Sequence, residues 1–413
     1  MHEDSNEYTS KQARSNKRGI CFNSMYEADF AAIKPGISWA YNWGAGGYNA
    51  ALDKAATDAG VRYYPMVWRG GGESAIRNYK KAHPECDYIL SFNEPNLTDQ
   101  ANMTPAQAAA NWGALKALAK ELNMKIVAPA MNYGTLPGYS DPIHWLDEFF
   151  RQPGVSIDDV DALAVHCYMN SPSAIKSFVE RFRKYNKPVW MTEFCAWEGD
   201  NISVERQAEY MSSVISYFEA EPLVEYYAWF KYDGSTTAHP RYGLRQSGNT
   251  KGELSKLGTI YVYMSSLDKD LYYEHNEVVP AEHYSNSNLS EAVGAANASA
   301  AIYSVNFNVA TDETGILEVT NFGLPKWLEY NVAPTVAGDY NLIIRYASAG
   351  DSKCKIYVDN KEIIEIDLPK TGGYTSWATI TTPAISLKSG KQQIRFTPSK
   401  GMVSMNWWRY KRK

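Results

Sequence analysis

The sequence lacks most of the features that announce a specific ligand. It has no basic surplus: 41 Lys and Arg stand against 46 Asp and Glu, a net charge of -5. That excludes a broad positive field and argues against nucleic acid or an anionic membrane surface as the main partner. No apolar run reaches transmembrane length. The N-terminal stretch MHEDSNEYTSKQARSNKRG is polar throughout and shows no signal peptide, although a mature secreted chain would read the same way. Cysteines are few and odd in number (Cys21, Cys86, Cys167, Cys195, Cys354) and never in CxxC spacing, which argues against zinc-ribbon or thioredoxin-type chemistry. Cys21, Cys167 and Cys195 lie inside apolar runs and read as buried free thiols. RGGGE (69–73) lacks the spacing and the Lys of a phosphate-binding loop, and no HExxH occurs. No metal site is expected.

Aromatic residues are abundant instead: 12 Trp, 30 Tyr and 13 Phe make up 13% of the chain. Large cores account for part of this, and Trp and Tyr also suit stacking on sugar rings. A length of 413 residues fits two domains. From Arg18 to Asp233, eight short apolar runs alternate with helix-like segments: 18–23, 36–43, 61–69, 88–96, 125–134, 162–170, 188–197 and 226–233. The spacing predicts helices over 104–123, with Thr104 as N-cap and Pro105 in the first turn, over 171–186 and over 203–220. Strands apolar on both faces, each followed by a helix, imply a parallel sheet, and eight such units match the (β/α)8 TIM barrel. A doubly wound open sheet is the competing topology.

A closing helix is expected over 251–267, after which the texture changes. From about Glu277 short alternating runs punctuated by Gly, Pro and Asn replace helical periodicity, the pattern of an all-β sandwich. EAVGAANASAA (291–301) reads as a loop. The expected organisation is a polar tail (1–17), a barrel (18–267), a short linker (268–276) and a β-sandwich (277–413).

In such a barrel the residues at the C-terminal ends of the strands line the active site. The fourth run, DYILSFNEPN (87–96), stops abruptly at Asn93, Glu94 and Pro95, and the seventh, PVWMTEFCAW (188–197), carries Glu193. Two carboxylates facing each other across the mouth suit glycoside hydrolysis, which needs one protonated acid beside the leaving oxygen and one ionised carboxylate below the anomeric carbon. The bland alternative is that Glu94 caps the next segment and Glu193 pairs with a base. Asn93 is placed to bond a sugar 2-hydroxyl, and His166 and Tyr168 to orient or ionise the second carboxylate. Trp43, Trp68, Asn132 and Tyr133 are the other strand-end candidates for binding substrate.

These motifs resemble glycoside hydrolase clan A. The wording of ISWAYNW, SFNEPN, IVAPAMNY, LAVHCYM, VWMTEFCAW and EYYAWF is similar to glycoside hydrolase family 128, the β-1,3-glucanases, over residues 18–265. The resemblance implies a retaining double displacement with Glu94 as general acid/base and Glu193 as nucleophile. It also implies an aromatic floor at Trp229, at the end of the eighth strand. Segments 325–348, 372–398 and 403–411 resemble carbohydrate-binding module family 6, a jelly-roll. The resemblance implies a sugar cleft of Glu282, Trp377 and Asn406, with Phe322 or Tyr374 as the second aromatic wall. That family often carries a structural calcium, but Pro280 stands where one acidic ligand would be.

The expected protein is a secreted, monomeric endo-β-1,3-glucanase acting on laminarin- or curdlan-like glucan, without a catalytic cofactor. Its partners would be β-glucan polysaccharide and oligosaccharides, with no nucleic acid and no membrane. Two alternatives remain open: the same chemistry on mannan, xylan or galactan, and a binding protein whose barrel has lost catalysis.

Overall fold

The computed structural model describes residues 11, 14–197, 201–246, 251–288 and 305–413. The expected loop at 291–301 lies outside the described residues.

Eight parallel strands form one sheet: β1 (Arg18–Cys21), β2 (Trp39–Tyr41), β3 (Arg62–Tyr63), β4 (Tyr88–Leu90), β5 (Lys125–Met131), β6 (Ala162–Cys167), β7 (Val189–Phe194) and β8 (Val224–Trp229). Each falls within or beside one of the eight predicted runs. The order is β3-β2-β1-β8-β7-β6-β5-β4, and a parallel bridge between Met66 and Leu90 joins its two ends, giving a TIM-like barrel. Helices α1 (Glu27–Ile33), α2 (Ala50–Ala59), α3 (Glu73–Ala82), α4 (Pro105–Leu122), α5 (Pro142–Phe149) and α6 (Pro172–Glu180) lie between the strands. Helix α4 begins as its sequence demands: the Thr104 hydroxyl accepts from the Gln107 amide at 3.2 Å, and Gln107 accepts from the Thr104 amide at 2.9 Å. The predicted helix 171–186 breaks after Glu180 into a 3₁₀ turn, Arg181–Tyr185.

Aromatic rings fill part of the barrel interior. Trp190 lies 4.4 Å from Tyr226, 5.5 Å from Trp39 and 5.5 Å from Tyr64, centroid to centroid. Residue 19 is glycine for this reason, since a Cβ there would come 2.3 Å from the Trp39 indole. All five cysteines are free and buried.

The chain divides into two compact units. One comprises 16–203 and 221–255; the other comprises 1–15, 204–220 and 256–413. Helices α7 (Val204–Ala220) and α8 (Lys256–Tyr263) therefore group with the C-terminal β region. Within that unit the Ser212 hydroxyl of α7 accepts from the Phe307 amide at 3.3 Å.

The C-terminal region is all β, with two antiparallel sheets. Their shared core is visible in the rings: Tyr330 and Phe396 of one sheet lie 5.3 and 5.1 Å from Trp408 of the other. Strand Leu328–Val332 obeys the alternation of its sequence. Leu328, Tyr330 and Val332 are fully buried, while Trp327 lies on the other side, half-buried with the Arg395 guanidinium 4.2 Å from its ring.

Candidate active site

The abrupt end of β4 has a structural cause. The parallel ladder continues past the strand, with the Asn93 amide donating to Trp68 on one side at 2.8 Å and the Glu94 amide to Ala130 on the other at 3.0 Å. The backbone then turns at Glu94, which adopts a left-handed φ of +45°. Trp43 does the same at +60°. Side chains of this size seldom sit there unless their surroundings hold them, and such positions cluster at functional sites.

Glu94 and Glu193 come together around His166, which is fully buried on β6 and in register with Glu193 on β7. His166 Nδ1 lies 2.8 Å from Glu94 Oε1 and 3.3 Å from Glu193 Oε2, and its Nε2 lies 2.9 Å from the Thr192 hydroxyl. Glu94 also accepts from Asn132 Nδ2 at 3.1 Å. Glu193 accepts from the Trp43 indole at 2.8 Å, from the Tyr41 hydroxyl at 3.4 Å and from the Tyr168 hydroxyl at closer range. The ligating atoms of Glu94, His166 and Glu193 all lie within 4.8 Å of one another, the one such His/Cys/Asp/Glu group among the described residues. They could ligate a divalent ion. The 2.8 Å contact from the ring nitrogen to Glu94 is a hydrogen-bond length, and the same nitrogen cannot both donate there and ligate.

The charges of this cluster are interdependent. Burial pushes the Glu94 carboxyl up, but the His166 charge and the donors from His166 and Asn132 outweigh it and hold the group below its usual range. Burial also pushes Glu193 up. The His166 charge and the Tyr168 and Trp43 donors oppose this, the Glu94 charge adds to it, and the net direction is upward. For His166 burial works downward, and the two carboxylates overcome it and raise the imidazole.

A cavity of about 650 Å³ opens over the pair. The strand-end residues Trp43, Trp68, Asn93, Glu94, Asn132, Tyr133, Tyr168 and Glu193 all border it. His166 does not, since it lies beneath the carboxylates. Trp229 is a correction. Its ring is fully buried, packs edge-on against Phe194 at 5.2 Å, and its indole donates to the Tyr242 carbonyl at 2.7 Å. Alternation along β8 turns the next residue, Phe230, into the cavity instead. Phe230 and Trp197 were not singled out by the sequence reading, yet they form an aromatic wall with Trp43 and Tyr168 at centroid distances of 5.4 to 6.0 Å. Both lie within the seventh and eighth apolar runs, just past the ends of β7 and β8, which is the signal that could have found them. Asn23, also on the lining, closes the first apolar run and carried the same signal, whereas Gln100 comes from a loop and carried none.

In the C-terminal unit the predicted sugar-cleft residues do not share a surface. Glu282 and Asn406 are fully buried and Phe322 is 1% exposed, so none offers a face to a sugar. Asn406 instead supports a loop, giving its amide to Asp312 at 2.9 Å, while Arg345 bonds the same carboxylate at 2.7 and 3.0 Å. Gly315 leaves room for this amide, because a Cβ there would come 1.9 Å from Asn406 Oδ1. Trp377 is half-buried beside that loop, with its indole donating to Thr311 at 2.9 Å, and Tyr374 is 39% exposed.

Comparison with known proteins fits this geometry. Residues 19–261 match a family model described as a glycosyl hydrolase catalytic core. Residues 302–410 match carbohydrate binding module family 35, and not the family 6 that the C-terminal motifs resemble. Among solved structures, the chain is similar to a GH128 (subgroup II) endo-β-1,3-glucanase from Pseudomonas viridiflava. That similarity is 34% identity with a TM-score of 0.54, covering 60% of this chain and 98% of that one. A second GH128 (subgroup II) endo-β-1,3-glucanase, from Sorangium cellulosum, is 32% identical with a TM-score of 0.52, over 60% and 97%. Among curated proteins, alkali-sensitive linkage protein 1 of Schizosaccharomyces pombe is 24% identical over 60% of this chain, which spans only 44% of that relative.

Proposed function

Because the chain belongs to the glycosyl hydrolase catalytic core family, with a GH128-like barrel, we propose that it cleaves β-1,3-glucan internally by a retaining double displacement. The observation that carries the mechanism is the separation of the carboxylates. Their facing oxygens lie within 4.8 Å, against about 5–5.5 Å between carboxyls in retaining enzymes and about 6.5–9.5 Å in inverting ones. A gap this small leaves no room for the water an inverting enzyme places between base and sugar. The glucan specificity rests on the likeness to two endo-β-1,3-glucanases.

In this reading Glu193 attacks the anomeric carbon. Its donors from Trp43, Tyr168 and Tyr41 favour the carboxylate. Glu94 gives its proton to the leaving oxygen and then activates water. Asn93 has its amide on Gln100 at 3.2 Å and a buried carbonyl oxygen with no protein partner, which would accept from the sugar 2-hydroxyl. The resting charge directions favour the reverse roles, since Glu193 is the carboxyl pushed up and Glu94 the one held down. His166 bridges this difference. It touches both carboxyls through one nitrogen, so the proton belongs to the cluster rather than to one residue.

Hydrolysis of a panel of β-glycans tests the substrate, with release of β-configured products by NMR testing retention. A 2-fluoro glycoside tests the roles: label on Glu193 supports this assignment, and label on Glu94 reverses it. We further propose that the C-terminal module tethers the enzyme to polysaccharide, that the protein is extracellular, and that the catalytic step uses no metal.

A further inference from the structure

Tyr133 is the most exposed of the large apolar side chains that border the cavity, at 49%. An aromatic ring that open in a loop would ordinarily sample several rotamers. Here three contacts fix it. Its inner side packs on Phe178 at 5.3 Å, its amide donates to Asn132 Oδ1 at 2.8 Å, and its hydroxyl accepts from Arg181 at 3.1 Å. The Arg181 guanidinium also lies 5.8 Å from the ring centroid. Arg181 is itself locked, because the C-cap of α6 presents it to Asp141, the N-cap of α5, with contacts of 2.7 and 2.8 Å. Neither Arg181 nor Asp141 borders the cavity. Asn132, which holds the Tyr133 backbone, gives its other end to Glu94.

We infer that the Arg181–Asp141 pair is a positioning device for Tyr133, which serves as an outer sugar platform and sets the preference for longer chains. The inference rests on the β-1,3-glucanase reading for its substrate, but not for its geometry. A fixed ring binds a pyranose without losing rotamer freedom, so releasing the clamp should weaken binding only for chains long enough to reach it. Arg181 is not equivalent to Lys here, since it reaches Asp141 through Nη2 and the Tyr133 hydroxyl through Nη1, two nitrogens held apart in one rigid plane.

The test compares laminarihexaose with a short aryl β-laminaribioside as substrates for the full-length protein. Arg181→Ala and Asp141→Asn should each raise KM for the hexaose about fivefold to tenfold with kcat unchanged, and leave the bioside alone. Asp141→Asn keeps an N-capping side chain, so its effect separates the clamp from helix stability. Combining Arg181→Ala with Tyr133→Ala should add little to Tyr133→Ala alone. Full additivity, or equal changes on both substrates, overturns the inference. If the wild type cleaves neither compound, the functional reading has failed, and the crystal structure of Arg181→Ala then decides the clamp. A displaced Tyr133 ring supports it, and an unmoved ring overturns it.

Discussion

Both units bury polar side chains in number, but to different ends. In the barrel unit Glu94 and Glu193 are 6% and 4% exposed yet border a cavity of about 650 Å³, so their burial tunes charge where a ligand can enter. In the C-terminal unit Asp312, Arg345 and Asn406 are joined by short bonds beneath a loop, and Asn406 is closed off completely. The same residue types serve chemistry in one place and architecture in the other. What separates them is access rather than the number of partners. Asp312 takes bonds from Arg345, Asn406 and Thr314, and Glu193 from Trp43, Tyr41 and Tyr168, but only Glu193 borders the cavity.

The largest expected effect breaks this contrast if it is wrong. Glu193→Gln should lower activity about 10⁴-fold or more while leaving thermal stability nearly unchanged, because the amide keeps the shape and loses the nucleophile. Asp312→Ala should do the opposite, costing about 2–3 kcal/mol by leaving Arg345 unpaired, with the rate on short soluble oligosaccharides unaltered. Calorimetry and reducing-sugar release on both variants make the comparison. Stability loss at Glu193 with residual activity would make it a structural carboxylate.

A second pair of variants sharpens the contrast within one strand. Trp229→Ala should cost about 3–5 kcal/mol through the cavity it leaves in the core. Phe230→Ala should cost less stability and lower kcat/KM by about tenfold or more through the loss of an aromatic wall. If Trp229→Ala proves the kinetic variant and Phe230→Ala the thermal one, the facing of β8 has been misread.

The eight strands and their order of succession were legible because parallel strands buried on both faces leave uninterrupted apolar runs. Strand ends then named half of the cavity lining, since a barrel puts every C-terminal end at one mouth. That logic fails by one residue at β8: two aromatics in succession, Trp229 and Phe230, point opposite ways, and sequence cannot say which is inside. It fails altogether for Gln100, which depends on a loop path. In the C-terminal unit, Trp377 and Tyr374 reach the surface, but matching motif letters misjudged the exposure of Glu282, Phe322 and Asn406. Their exposure is set by pleat and by the covering loop, not by their place in the motif. The grouping of α7 and α8 with that unit had no local signature either, because a helix after a strand reads alike whichever core its apolar face joins.

His166 gives a smaller, pH-dependent test. Its cation holds both carboxyls down, so His166→Gln, which keeps a donor and removes the charge, should move both limbs of the kcat/KM profile to higher pH. The sign for stability follows from the same pairing. The raised imidazole contributes fully below its unfolded value of about 6.5 and loses that contribution as pH rises through its folded value. An unshifted profile would mean His166 is neutral in the working enzyme, and a shift to lower pH would overturn its role as the cation between the carboxyls.

The smallest effect on the chemistry belongs to Trp377. It lies half-buried beside the Thr311 loop with one indole hydrogen bond, and Tyr374 stands exposed on the same strand, Gly373–Thr381. Of the five expected sugar-binding residues in this unit, these two alone reach the surface. Sugar binding there would rest on stacking, with fewer side-chain hydrogen bonds than a cleft built from Glu282 and Asn406 would supply. Affinity for glucan should therefore be weak, and Trp377→Ala should remove most of it. Activity on insoluble glucan should fall severalfold, because tethering raises local substrate concentration without touching the barrel's chemistry. The rate on soluble laminari-oligosaccharides should stay at the wild-type level. Affinity electrophoresis in glucan-containing gels reads the first effect and paired assays on the two substrates read the second. Unchanged retardation in Trp377→Ala and Tyr374→Ala alike would move the binding surface off this strand.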